Sequence, residues 1–311
     1  MAIIHELSWS TSRDGTFEDC RRRYYIDYYL SWTGWNERAP AERRAAYLLK
    51  KMTRLPMLAG DLVHQAIERF YAALRQGRAI SLEESQAWAV GQLREGYKTS
   101  RDGLWKARPS KLVHLAEHHY SEAGVDESTP AAAAYGGRYR DRILSCLANF
   151  YEMPELTEAR SVPVDALLAC EDLSTFPLFD TKVYAVPDLA YRAQDGTVQV
   201  LDWKTGAERE RDRFQLAVYT EYASAKWGVD AAHVICKDVY LGEPRVVEQH
   251  FREDERASTL ERIEASIQAM RAVHFDADKG PGAPKDFPRV PEDTPGAQAC
   301  KTCNYRQICD R

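Results

Sequence analysis

The stretch VYAVPDLAYRAQDGTVQVLDWKTG, residues 183–206, decides how the rest of the chain is read. Asp195-Gly196 sits between two β-favouring segments and predicts a type I′ hairpin, a turn that needs positive φ at both central residues. The segment from Val198 to Lys204 begins with clear alternation and ends charged. Side chains alternate faces along a strand, so Asp202 and Lys204 share one face and Trp203 takes the other. The hairpin brings Asp188, on the preceding strand, to the end that carries Asp202 and Lys204. Two carboxylates and an ammonium converging on one sheet edge are costly unless a cation or ligand compensates them. The simplest such cation is a hard divalent metal held by oxygens.

Working outward, Gly60-Asp-Leu-Val-His64 lies upstream and Gln215-Leu-Ala-Val-Tyr219 downstream. Cys20, Cys300, Cys303 and Cys309 lie near the two ends. Together with Pro187-Asp188 and Asp202-x-Lys204, this ordered set resembles the PD-(D/E)XK nucleases. Within them it is similar to RecB-type exonucleases of the iron–sulfur branch, which contains the AddB nuclease domain and the CRISPR-associated adaptation nucleases. The resemblance implies an α/β restriction-endonuclease-like core, a central mixed sheet flanked by helices, over residues 161–275. A large helical region, 1–160, carries Cys20 and His64; a Pro-rich segment and the cysteine cluster, 276–311, follow the core.

The resemblance also implies roles. Asp188 and Asp202 bind Mg²⁺ or Mn²⁺ with the main-chain carbonyl of Trp203, and His64 completes the shell, an imidazole shifting preference toward Mn²⁺. Lys204 orients the attacking water, and Gln215 and Tyr219 position the DNA strand. Cys20, Cys300, Cys303 and Cys309 hold a [4Fe–4S] cluster. On residue chemistry alone zinc stays open as a second occupant, although zinc commonly uses paired CxxC knuckles and this chain has one CxxC. The expected activity is a metal-dependent DNA exonuclease in repair, recombination or CRISPR-type processing. Two rivals stand beside it: a catalytically weak DNA-binding or scaffold subunit, and a structure-specific endonuclease of the same fold. The chain has no G-x-x-x-x-G-K-[ST] sequence, so a helicase partner would be another chain, as would CRISPR adaptation proteins.

Composition bounds these readings. The 311 residues are 44% hydrophobic and 29% charged, the profile of an ordinary globular protein. No apolar run is long enough to span a bilayer, and Met1 to Ser10 lacks a signal-peptide pattern, so a cytoplasmic location without membrane partners is expected. A net charge of −5 gives no whole-molecule attraction to nucleic acid, and DNA binding must rest on local patches and on metal. Seven cysteines in such a chain argue against a disulfide framework. Cys146, Cys170 and Cys236, among apolar neighbours, are read as buried fillers.

In chain order, Ser10 to Tyr29 reads as a helix containing Cys20, either an amphipathic helix with solvated arginines or one that delivers Cys20 to a metal cluster. Leu58 to Gly77 reads as a helix with Asp61 as a candidate N-cap and Gly77 as a stop. Ser81-x-x-Glu84 is a capping box opening a helix toward Tyr97. His114, His118 and His119 lie in a stretch, 101–140, with no clear element. An i,i+4 pair such as His114/His118 can ligate zinc, but no third ligand at a recognisable spacing accompanies it, and packing is the preferred role. Ala131 to Ala134 and Gly136-Gly137 suggest a flexible connection before a helix from Arg138 to Tyr151.

Strands are expected at 166–170, 182–191, 197–203, 233–241 and 246–251, with helices at 213–227 and 256–274. Gln215 and Tyr219 share a face of the first of these helices. Glu171 is either a further acid for the site or a surface residue. Asp278 to Pro295, with five prolines, is expected to form neither a regular helix nor a central strand.

Overall fold

The computed structural model describes residues 5–122 and 130–309. The first elements among the described residues are a two-residue strand, β1 (Ser8–Trp9), and a helix, α1 (Thr11–Asp19), capped by the Ser10 hydroxyl. Cys20 then adopts an extended conformation, interrupting the single helix expected over 10–29. Its thiol accepts the Arg23 N–H and so caps the next helix, α2 (Arg21–Tyr25), which runs into a π-helical turn at Ile26–Leu30. Cys20 is part-exposed at this break, while Phe17, Tyr24 and Tyr29 on either side in sequence are buried.

Helix α3 (Ala41–Lys50), which the sequence reading did not anticipate, precedes α4 (Leu55–Leu74). Helix α4 begins six residues before Asp61, with Pro56 in its first turn, so Asp61 is an interior residue and not the N-cap. Pro56 lacks the N–H that a first turn leaves unpaired in any case, which favours this earlier start. Helix α5 (Leu82–Arg101) has the expected capping box: Glu84 N–H donates to Ser81 Oγ at 3.2 Å, and Ser81 N–H donates to Glu84 Oε2 at 2.8 Å.

A short helix, α6 (Ala116–His119), is followed by α7 (Pro130–Glu152). Helix α7 contains Gly136-Gly137, where a flexible connection was expected. The alanines at 131–134 have the highest helix propensity, and tertiary packing of Tyr139, Ile143, Leu147 and Phe150 offsets the cost of the two glycines. Within 101–140, residues 123–129 lie outside the described residues. His114 is buried and stacks on Trp105, and its Nε2 meets His119 Nδ1 at 3.1 Å, while His118 turns to Ser100. Burial lowers the His114 imidazole to about 3, which suits a packed neutral ring.

After a one-turn helix, α8 (Thr157–Arg160), come strands β2 (Leu167–Ala169), β3 (Ser174–Leu178), β4 (Thr181–Ala185), β5 (Leu189–Arg192) and β6 (Val198–Lys204). Helix α9 (Glu210–Trp227), strands β7 (Val234–Tyr240) and β8 (Arg245–Gln249), and helix α10 (Glu253–Ala272) complete the body. The single strand expected over 182–191 is two strands in two sheets. One sheet has the order β1-β4-β3 and the other β2-β5-β6-β7-β8. The break falls at Val186-Pro187-Asp188, because Pro187 cannot donate to a ladder.

The β5–β6 connection also departs from type I′. Gly196 has φ +87°, but Asp195 is not in the left-handed region. Gly196 N–H donates to the Ala193 carbonyl and Ala193 N–H to the Thr197 carbonyl. This three-residue loop, with glycine at the left-handed position, is the next commonest hairpin connection. The Asp195 carboxylate is engaged by the Thr197 N–H and hydroxyl.

Strand β6 is central, antiparallel to β5 and parallel to β7. Val198 and Val200 pack into the core under α9, whereas Leu201 and Trp203 pack into a second core under α4 and α7. Both faces of β6 are therefore buried up to the end that carries Asp202 and Trp203. No helix among the described residues is long and apolar enough to cross a membrane. After α10 the proline-rich segment forms no strand, and its regular structure is limited to 3₁₀ turns at Pro284–Asp286 and Pro295–Thr302.

Candidate active site

The site forms where β5 stops and β6 continues. Leu189 pairs with Leu201, which sets Asp188 opposite Asp202 at the open end of the pair. One Asp188 oxygen accepts the Trp203 N–H, and the other lies 3.2 Å from His64 Nδ1. The Lys204 carbonyl accepts from Leu241 on the β7 side. Consecutive carbonyls alternate direction along a strand, so the Trp203 carbonyl faces the Asp188 edge.

His64 comes from the third turn of α4. Gly60, one turn earlier, lets that helix approach the end of β6: a Cβ there would lie 2.9 Å from Thr205 Oγ1. Glu171 reaches the same place from the β2–β3 connection. Its φ of +52° is unusual for a residue with a side chain. That conformation is held by its N–H, which is shared between the carbonyls of Pro187 and Asp188 at 3.3 and 3.2 Å. Glu171 Oε1 is 3.0 Å from His64 Nδ1. One ligand atom each from His64, Glu171 and Asp188 lie within 4.8 Å of one another. Burial, reinforced by the Asp202 charge and opposed by His64, pushes the Asp188 carboxyl up to about 7. Burial by itself would lower the His64 imidazole, but the Asp188 and Glu171 carboxylates outweigh it and hold the ring well above its ordinary value.

Lys204, Gln215 and Tyr219 form a directed chain beside these groups. Lys204 Nζ contacts Asp202 Oδ2 and donates to Gln215 Oε1 at 3.1 Å. Gln215 Nε2 donates to the Tyr219 hydroxyl at 2.8 Å, and that hydroxyl donates to the Val186 carbonyl at 2.8 Å. Tyr219 is only 4% exposed. Its hydroxyl thus meets the Val186–Asp188 bend, while the family resemblance implies a part in positioning a DNA strand. Asp202 Oδ1 is 3.4 Å from the same hydroxyl.

Two acids here were absent from the sequence reading. Asp238 is the register partner of Asp202 on β7, and Asp212 opens α9. They stand 3.6 and 3.5 Å from Lys204 Nζ. Burial pushes the Asp238 carboxyl up to about 7 against the pull of Lys204. A signal existed in the sequence, since Asp238 interrupts the apolar strand VICKDVY, but only the strand register shows which residue it faces.

The cysteines fall into two groups by position. Cys146, Cys170 and Cys236 are buried in the cores, where burial raises their thiols to about 11, 12 and 12. Cys20, Cys300, Cys303 and Cys309 line one small cavity with Arg23 and Arg306. The C-terminal segment is docked there by side chains from distant parts of the chain. Asn304 Nδ2 donates to the Met52 carbonyl at 2.8 Å, Arg54 donates to the Thr302 carbonyl at 3.1 Å, and Tyr305 bonds Asp27.

Residues 8–310 match the family model described as the PD-(D/E)XK nuclease superfamily. No curated protein matches. Among solved structures, the one titled "Crystal structure of SSO0001" is similar over 58% of this chain and 80% of its own, at 16% identity and a TM-score of 0.29.

Proposed function

Because the chain belongs to the PD-(D/E)XK nuclease superfamily, we propose that it is a divalent-metal-dependent DNA exonuclease of the RecB-like iron–sulfur kind. The observation that carries this is the convergence of His64, Glu171 and Asp188 beside Asp202 and Lys204 at one open strand end. The donor set fits the metal: one imidazole with carboxylate oxygens suits Mn²⁺ or Mg²⁺. His64, Asp188, Asp202 and the Trp203 carbonyl would hold the ion, and Glu171 joins them as a further carboxylate. A bound ion polarises the phosphodiester and lowers the pKa of a coordinated water.

Lys204 supplies a fixed positive charge against the charge that develops on the transferred phosphate, and its donors orient the attacking water. Gln215 fixes the direction in which that ammonium points, since its carbonyl oxygen accepts from Nζ. Tyr219 keeps Asp188 in register through Val186.

The four cysteines at the chain ends would hold a [4Fe–4S] cluster, with zinc as the lesser alternative. The Cys20 and Cys303 sulfurs each accept a backbone N–H, from Arg23 and Tyr305, and hydrogen bonds to sulfur are a feature of such sites. Arg23 and Arg306 supply positive charge beside the thiolates. Zinc commonly uses paired CxxC knuckles, whereas this chain offers Cys300-x-x-Cys303, Cys309 and the distant Cys20. The cluster would act as a staple closing nearly the whole chain. Work in DNA repair, recombination or CRISPR-type processing, beside a helicase or adaptation proteins, fits this reading.

The test is cleavage of end-labelled linear and of circular DNA, single- and double-stranded, with Mg²⁺, Mn²⁺ or EDTA. Digestion of linear DNA only, abolished by EDTA, by Asp202→Ala and by Lys204→Ala with DNA binding retained, is the expected result. Cleavage of circles would make the protein an endonuclease. Full activity in either variant would remove these residues from the mechanism.

A further inference from the structure

Resting on the reading that Asp202 is a metal ligand, we propose that Asp238 and Asp212 are positioning residues that take the Lys204 ammonium from Asp202 when Asp202 engages the metal. Lys204 Nζ contacts the Asp202 Oδ2 atom directly. A lysine in that position competes with any cation for the same oxygen. Asp202 Oδ1 lies 3.4 Å from the Tyr219 hydroxyl and away from the lysine, so for Asp202 to give Oδ2 to a metal as well the ammonium must turn aside without leaving the site, because charge stabilisation during cleavage still requires it.

The surroundings provide that second resting place. Asp238 Oδ1 is 3.6 Å from Nζ, and Asp212 Oδ1 is 3.5 Å from it. Asp202 and Asp238 are adjacent on parallel strands and share a buried face, a pairing of like charges that costs stability unless a cation lies between them. Asp238 is 3% exposed, and its Oδ1 has no hydrogen-bond partner among the described residues. Asp212 is held in place independently. Its Oδ2 accepts the Arg209 N–H at 2.9 Å and the Tyr240 hydroxyl at 3.1 Å, which leaves Oδ1 turned to the lysine. Asp238 therefore offers a buried acceptor that carries no hydrogen bond and Asp212 a fixed one, and both already lie within ion-pair distance of the ammonium.

Calorimetric titration of the full chain with MnCl₂ tests this without relying on cleavage, using wild type, Asp238→Asn, Lys204→Gln and the double variant. Asp238→Asn strands the ammonium on Asp202 and should weaken Mn²⁺ binding by about three- to tenfold, the scale of coupling between residues that share a partner. Lys204→Gln should bind at least as tightly as wild type. In that background the Asp238→Asn effect should shrink to less than about twofold. Equal weakening in both backgrounds would show Asp238 acting on the metal directly and would overturn the proposal, as would no weakening in either. If Asp238→Asn is unfolded at the titration temperature, Asp212→Asn enters the same cycle. Asp202→Asn is run in parallel: unchanged Mn²⁺ binding there would overturn the metal-ligand reading itself, a failure separable from loss of the coupling.

Discussion

Tyr219→Phe separates a structural role for the tyrosine from contact with DNA. The substitution keeps the ring and its packing and removes one oxygen. That oxygen accepts from Gln215 and donates to the Val186 carbonyl, both at 2.8 Å, on a residue 4% exposed. Each buried hydrogen bond contributes about 1 kcal/mol net, and leaving the Val186 carbonyl and the Gln215 amide unpaired raises the total cost to about 2–4 kcal/mol. At about 2 °C per kcal/mol for a chain this long, the melting temperature should fall by roughly 4–8 °C. The loosened segment carries Asp188 two residues on, so single-turnover cleavage should slow by about tenfold through misplacement of a ligand. Affinity for DNA should change by less than about twofold, because a buried hydroxyl does not meet the strand. Thermal melts, single-turnover rates and DNA titrations on one preparation give all three numbers. A variant that melts with wild type and binds DNA tenfold more weakly would refute the reasoning and return Tyr219 to the DNA surface.

Further outcomes follow from the same geometry. His64→Ala should weaken Mn²⁺ binding and shift the metal dependence of cleavage. Glu171→Gln should do so by a smaller factor, since it leaves His64 and Asp188 in contact, and unchanged titrations would return each residue to a packing role. Protein purified anaerobically should be brown, with iron and sulfide near about four per chain. Serine at Cys20, Cys300, Cys303 or Cys309 should bleach it and lower stability severely, because the docked C-terminal segment loses its link. Alanine at Cys146 or Cys236 should cost only a packing defect of about 1–2 kcal/mol, and equal bleaching there would show that other thiols hold the cluster.

The central hairpin was legible because its residues carry short-range rules. Alternation from Val198 to Lys204 and a turn at Asp195-Gly196 fix which faces meet, even though the turn closes with three residues and not two. The capping box at Ser81 and Glu84 was legible for the same reason: both partners lie within one turn. The second sheet was not. Strand β1 has two residues and β3 contains Pro177, so neither has a periodicity to read, and each exists because β4 offers it a partner from elsewhere in the chain. The split between β4 and β5 was hidden in a continuous β-favouring run, although Pro187 marked where a ladder would lack a donor.

The candidate site divides along the same line. Asp188, Asp202 and Lys204 were found because one hairpin places them together. His64 and the cysteines were found through a resemblance, since no local rule connects residue 64 or residue 20 to residue 188 or 300. Glu171 is ambiguous in the sequence for a physical reason: its backbone takes a positive φ, and the Pro187 and Asp188 carbonyls that support that conformation lie sixteen and seventeen residues away. Asp212 and Asp238 went unread because an acid at a helix start or within a strand has ordinary explanations. Asp212, at N3 of α9, accepts the N–H of the N-cap residue Arg209, as acids at that position commonly do. What marks both as more than that is the ammonium between them, and this depends on the parallel register of β6 and β7. On the proposed reading that Asp202 serves a metal, a lysine paired with three carboxylates still has two to hold it. The extra acids thus carry information about exchange within the site, and a motif defined by its ligands alone does not contain it.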